Sequence, residues 1–130
     1  MPALDATPLY AGLLALLLVA LSLNVIHARI RGNVSVGDGG NKAVIKAMRV
    51  QANCAEYAPM GVILLALAEL QGTPLWVLHL LGSTLLAGRL IHAAGFGATP
   101  QIVSLRQLGM VLTFAMLTFT ALGLLGHAVF

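Results

Sequence analysis

Four long apolar stretches separated by short polar breaks organise this 130-residue chain. They run from about Thr7 to Ala28, Val44 to Leu70, Pro74 to Ala94 and Ile102 to Phe130. Each is long enough to cross a hydrocarbon core about 30 Å thick, which takes roughly 20 helical residues. The runs far exceed the length of a barrel strand and lack strict alternation, so the pattern predicts helices. The breaks differ in character. Residues Arg31 to Gly40 read as a glycine-rich loop. Gln71-Gly72-Thr73-Pro74 reads as a tight turn, with Pro74 near a helix start. Gly95 to Pro100 is expected to close the third span.

Composition agrees with this pattern and narrows it. The chain is 59% hydrophobic and 8% charged, with a mean hydropathy of +0.96. Soluble domains sit near 45–50% apolar and about 25% charged. An all-α integral membrane protein of one domain is therefore expected. Seven basic against four acidic residues are too few for a nucleic-acid surface. The single cysteine, Cys54, gives no disulfide framework. Met1 to Thr7 holds no Lys or Arg, and the following apolar run ends in basic residues. The first segment is thus expected to be an uncleaved span. Arg29, Arg31, Lys42, Lys46, Arg89 and Arg106 lie at or beside the first and third breaks. The positive-inside rule then puts both of these loops in the cytoplasm and both termini outside.

Within so apolar a chain each ionised group needs a physical reason. On the second span Arg49, Asn53 and Glu56 stand at i, i+4 and i+7, within a sector of about 60°. Tyr57 lies just off that face. Glu56 is about 20 Å along the axis from Glu69 at the span's outer end, which puts it at hydrocarbon depth. A charge there costs roughly 2.5–3.5 kcal/mol on insertion scales. The stripe therefore marks a ligand site, or else an Arg49–Glu56 ion pair that only fixes helix packing. Other spans carry polar residues at similar depth: Asn24, His27 and Arg31 on the first, Arg89, His92 and Phe96 on the third, Arg106 and Thr113 on the fourth. Arg31 and Lys42 suit lipid phosphates equally well. Cys54 points away from the stripe and reads as a packing residue. Gly37-Asp38-Gly39-Gly40 lacks the Lys-Ser/Thr of a phosphate loop. No metal-ligand spacing occurs, and no serine has an evident base.

The run Arg49-x-Gln51-x-Asn53-x-x-Glu56-Tyr57-x-Pro59 resembles the signature of the MAPEG family, membrane proteins of eicosanoid and glutathione metabolism. The similarity extends through Gly37-Asp38-Gly39-Gly40, Gly88-Arg89-Leu90-Ile91-His92 and Arg106-Gln107-Leu108-Gly109-Met110, and looks closest to the short bacterial branch. It implies a left-handed four-helix bundle assembling as a homotrimer in the bacterial inner membrane. Glutathione would be the co-substrate, without a metal, held between subunits near the cytoplasmic side. Arg49, Asn53, Glu56 and Tyr57 would hold it from one subunit, with His92 as a further donor, while Arg29 and Gln51 reach it from the neighbour. Arg106 resembles the catalytic arginine.

The resemblance implies a glutathione transferase, with peroxidase activity as a possible extension, acting on a lipophilic electrophile from the bilayer. Ile30 and Phe96 depart from members with defined synthase activity, and so does His92, although histidine occurs there in prostaglandin-E-synthase-like members. Two rival readings remain open. One is a non-catalytic relative binding lipid or a partner; the other is a small proton-coupled exporter built on Glu56, which Arg49 beside it disfavours.

Overall fold

The computed structural model describes residues 4–130, among which the regular structure is four α-helices. They are α1 (Thr7–Gly32), α2 (Lys42–Leu70), α3 (Leu75–Gly97) and α4 (Val103–Val129). All four are long and apolar enough to cross a membrane.

Three of the helices run further at the basic end than the apolar pattern indicates. α1 continues past Ala28 to Gly32, taking in Arg31 and Gly32 from the expected loop. Basic residues in a last turn complement the helix dipole, so loss of apolar character does not end the helix. Termination comes instead at Asn33, which adopts the left-handed conformation with φ 54°. The following amide of Val34 donates back to the Arg29 carbonyl at 2.9 Å. α2 opens at Lys42 because the Asn41 side chain accepts hydrogen bonds from the amides of Ala43 and Val44 at 3.0 and 3.2 Å, an N-cap of the ordinary kind. α3 runs through Gly95, Phe96 and Gly97, residues expected to close it. Gly95 sits against the Arg106 amide and the Ile102 carbonyl, leaving no room for a Cβ. Packing on the start of α4 therefore keeps this glycine helical.

Small residues decide how the helices approach. Lipid is as apolar as leucine, so close backbone packing replaces the hydrophobic effect as the force between helices. α3 and α4 form the most extensive pair. A Cβ on Gly88 would strike Thr113 and the Gly109 carbonyl, and one on Gly109 would strike the backbone of His92. Gly82 receives the Tyr10 ring of α1 in the same manner. Tyr10 donates to the His79 carbonyl at 3.1 Å, and its hydroxyl lies 3.0 Å from His79 Nδ1. Leu65, Leu85 and Met116 fill the interior between these contacts. The outer face of α1, including Leu9, Leu16, Val19 and Ile30, is exposed on the single chain.

The end opposite the basic loops is tied by one carboxylate. α1 has no side-chain cap of its own. Glu69, in the last turn of α2, accepts from the amides of Asp5, Ala6 and Thr7 at 2.6, 2.7 and 2.8 Å. It thus satisfies donors that a helix start leaves open, and its charge complements the positive end of the dipole. Glu69→Gln removes the charge and one acceptor oxygen. Unfolding in mixed micelles is expected to show a loss of about 1–3 kcal/mol, with α1 becoming the first helix accessible to protease.

Candidate functional site

The α2 stripe divides into two halves that do different things. Arg49 and Glu56 point outward, with side chains 57% and 53% exposed on the single chain. Their closest approach is 3.9 Å, an ion pair too long to be a hydrogen bond. Two turns of separation leave the groups adjacent but not joined. Asn53 and Tyr57 turn the other way, toward α3 and α4.

What they meet there is Arg89, which is 1% exposed and the largest fully buried side chain. Its Nη1 donates to the Asn53 side-chain carbonyl oxygen, and Nε donates to Thr113 Oγ1 at 3.0 Å. Nη2 lies 3.2 Å from Met110 Sδ. The Tyr57 ring lies 5.5 Å from the guanidinium carbon, within cation–π range, and packs edge-on against Phe114. Thr113 passes its own proton to the Gly109 carbonyl at 2.8 Å, so its oxygen is free to accept from Arg89. No carboxylate pairs with Arg89 among the described residues. Oxygen, sulfur and an aromatic face together hold the cation.

Arg89 is therefore not a loop-adjacent charge, as its use in the orientation argument assumed. It lies two turns inside α3 and faces the bundle interior, so the charge bias rests on the other basic residues. Its role was missed because its partners come from three helices. The available signal was an arginine within an apolar run, next to Gly88 and opposite the small residue Gly109. Asn53 is likewise more than a ligand candidate, since its carbonyl oxygen is already committed to Arg89. Its Nδ2 and the Tyr57 hydroxyl make no hydrogen bond among the described residues, leaving both for a ligand.

The remaining candidates lie in three further places. Arg106, at the start of α4, stacks its guanidinium 4.0 Å from the Phe96 ring centroid and donates through Nη1 to Gln101 at 3.1 Å. His92 packs edge-on against Phe96 and is 3% exposed, facing the α3–α4 seam. Arg29 and Gln51 sit apart from the stripe, on the α1 side of α2. Arg29 donates to the Gly37 carbonyl and lies 3.5 Å from Met48 Sδ. Gln51 donates to Ser22 at 3.5 Å. A single chain thus joins Asn53 to Tyr57, Arg49 to Glu56, and Arg106 to His92 through Phe96, but does not bring Arg29 and Gln51 to them. Cys54 is buried in the core. No three His, Cys, Asp or Glu side chains converge as metal ligands among the described residues.

A sizeable groove lies elsewhere. An open groove of about 920 Å³ separates α1 from α2 and the end of α3 at the basic end, and Arg49 is its one member from the stripe. His27, Arg31, Lys42 and Lys46 also line it.

The Arg89 cluster yields a graded expectation for stability. Lysine keeps the charge but lacks the fork of donors that reaches Asn53 and Thr113 together. Methionine removes the buried charge while conserving most of the volume. Unfolding in mixed micelles should find Arg89→Lys less stable than the parent by about 2–4 kcal/mol, with Arg89→Met the less damaging of the two.

Comparison with known proteins identifies the family. The model of the MAPEG family matches residues 7–126. The inner membrane protein YecN of Escherichia coli K12 is 38% identical over 114 residues, covering 88% of this chain and 86% of that protein. YecN from the O6:H1 strain CFT073 matches to the same extent. With its four membrane-length helices and the signature on α2, the chain belongs to the MAPEG family.

Proposed function

We propose that this chain is a membrane-bound glutathione transferase, working as a homotrimer in the inner membrane with its basic loops in the cytoplasm. One observation carries the reading: Arg49 and Glu56 stand half-exposed, side by side and unbonded, on the flank of a membrane bundle. Even as a loose ion pair, two charged side chains on a lipid-facing flank are costly, so such residues face a cavity, a partner or a ligand. Glutathione supplies the complementary chemistry, with carboxylates for Arg49 and an ammonium for Glu56. Asn53 Nδ2 and the Tyr57 hydroxyl add donors on the same helix, and Arg89 holds both side chains from behind.

A site between subunits also accounts for the split arrangement. Arg29 and Gln51 face away from the stripe on their own chain, so they reach a tripeptide bound at a neighbour's stripe. Asn53, Glu56, Tyr57, His92 and Arg106 do not line the groove at the basic end, which fits a site completed by a neighbouring subunit.

The reaction then turns on the thiol. At pH 7 a free thiol with a pKa of about 8.5 is only about 3% thiolate. Lowering the pKa by two units takes about 2.7 kcal/mol and raises that share to about 75%. A guanidinium aimed at the sulfur in a partly dry site supplies stabilisation of that order, and Arg106 is the group for it. The thiol proton goes to solvent on ionisation, and the thiolate attacks an electrophilic carbon. As the C–S bond forms, either the bond to a leaving group breaks and that group departs with the electron pair, or the π bond of a conjugated acceptor breaks and the resulting carbanion takes a proton from solvent. The electrophile enters from the bilayer between subunits. Peroxidase turnover of lipid hydroperoxides would use the same thiolate.

A second reading has its own support. Arg106 is engaged by the Phe96 ring and Gln101, which favours a member that binds lipid or thiol without activating it. Ultraviolet absorbance on mixing purified protein with glutathione separates the two. Thiolate formation at neutral pH is expected, falling at least tenfold in Arg106→Ala with binding retained. Binding without thiolate would establish the non-catalytic alternative. Glu56→Gln and Arg49→Ala should each weaken glutathione binding by tenfold or more without dispersing the oligomer. Unchanged affinity in both would exclude the stripe as the site.

A further inference from the structure

We infer that the groove at the basic end, between α1, α2 and the end of α3, is a binding site for the phosphate group of an amphiphile. Four of the seven Lys and Arg side chains of the protein line it, Arg31, Lys42, Lys46 and Arg49, and none of the four acidic residues does. His27 adds a fifth nitrogen group. Arg49 has Glu56 beside it, but Arg31, Lys42 and Lys46 pair with no acid among the described residues; like charges so gathered repel one another, and an anion between them removes that cost.

The individual groups are prepared for this to different degrees. Lys46 is held in place, donating to the Ala98 carbonyl at 3.0 Å and Thr99 Oγ1 at 2.6 Å, which ties α2 to the third loop. Its charge remains uncompensated, because both partners are neutral. Arg31 and Lys42 make no side-chain hydrogen bond or ion pair among the described residues and line the groove from the end of α1 and the start of α2. The first amides of α2 are taken by Asn41, so the side chains must hold the anion. Three cations around one oxygen-rich dianion is a balance that a phosphate monoester meets well.

Size and lining say what else the ligand carries. About 920 Å³ is near the upper end of small-ligand sites and far exceeds a bare phosphate. Val50, Ala28 and Phe96 provide apolar wall, Asn24 and Gln101 provide amides, and exposed Ile45 lies at the rim. That lining suits a headgroup with the start of its chains, at the depth where bilayer phosphates lie. The inference does not rest on the glutathione reading, since Arg49 is the one residue common to both sites.

Native mass spectrometry of the delipidated oligomer in detergent tests it, with phosphatidic acid and phosphatidylcholine offered as equimolar probes. Phosphatidic acid is expected to be retained at least tenfold better, with that preference lost in the Arg31→Gln/Lys42→Gln double variant. Circular dichroism and size exclusion establish that the variant keeps its fold; should it not, Lys42→Glu alone, at an exposed first helical turn, is expected to abolish retention. Inorganic phosphate is titrated in a separate lipid-free arm. Saturation below a millimolar that is lost in the same variant would support the phosphate site and identify a soluble source. Equal retention of the two lipids together with no phosphate binding, or a preference unchanged in the variant, would overturn the inference. So would displacement of the lipid by glutathione over the range that fills its own site, which would assign the groove to that site. Failure of glutathione to bind at all leaves these outcomes readable.

Discussion

A guanidinium that cannot reach water must find its hydrogen-bond acceptors inside the protein, and in this bundle that condition falls on Arg89. Its acceptors are the Asn53 carbonyl oxygen on α2 and the Thr113 hydroxyl on α4, with Met110 sulfur and the Tyr57 ring alongside. Satisfying the cation therefore fixes how three helices face one another. Gly88 and Gly109 permit this, because only a seam without Cβ atoms lets Thr113 come close enough to accept from Nε. Buried polar networks are costly when incomplete and specify one arrangement when complete.

The same network prepares the candidate ligand face. Asn53 and Tyr57 are held by Arg89, while the Asn53 amide nitrogen and the Tyr57 hydroxyl keep no hydrogen-bond partner among the described residues. Arg49 and Glu56 flank them without closing a hydrogen-bonded pair. Tight pairing would consume the groups that a zwitterionic ligand needs. A separation of seven residues on one helix keeps them adjacent while discouraging direct contact. The proposed ligand face thus stands on structural polarity one layer further in.

Charge is also sorted along the molecule. At one end four basic side chains border a groove without a carboxylate. At the other end a single carboxylate, Glu69, closes the start of α1. One is an open electrostatic demand that a ligand can meet, while the other is already met by the backbone.

Four helices, their approximate spans and a polar stripe on α2 were legible in the sequence, because hydrophobic length and helical period are local properties. The Arg49, Asn53, Glu56 and Tyr57 pattern also pointed to the family that the comparisons establish. Residue spacing could not say that Asn53 and Tyr57 turn inward while Arg49 and Glu56 turn outward, since that depends on which neighbouring helix each one meets. Arg89 was placed on the third span beside the loop, without its three-helix partners, and proved to be fully interior; Gly95 to Gly97 were expected to close the third span and proved to be helical, with Gly95 packed on the start of α4. Glu69 gave no sign that it caps a helix more than sixty residues away. In each case the deciding partner is distant in sequence, so sequence determined which segments enter the membrane and which residues carry chemistry. Tertiary packing alone decided which of those residues are spent on each other and which are left for a ligand.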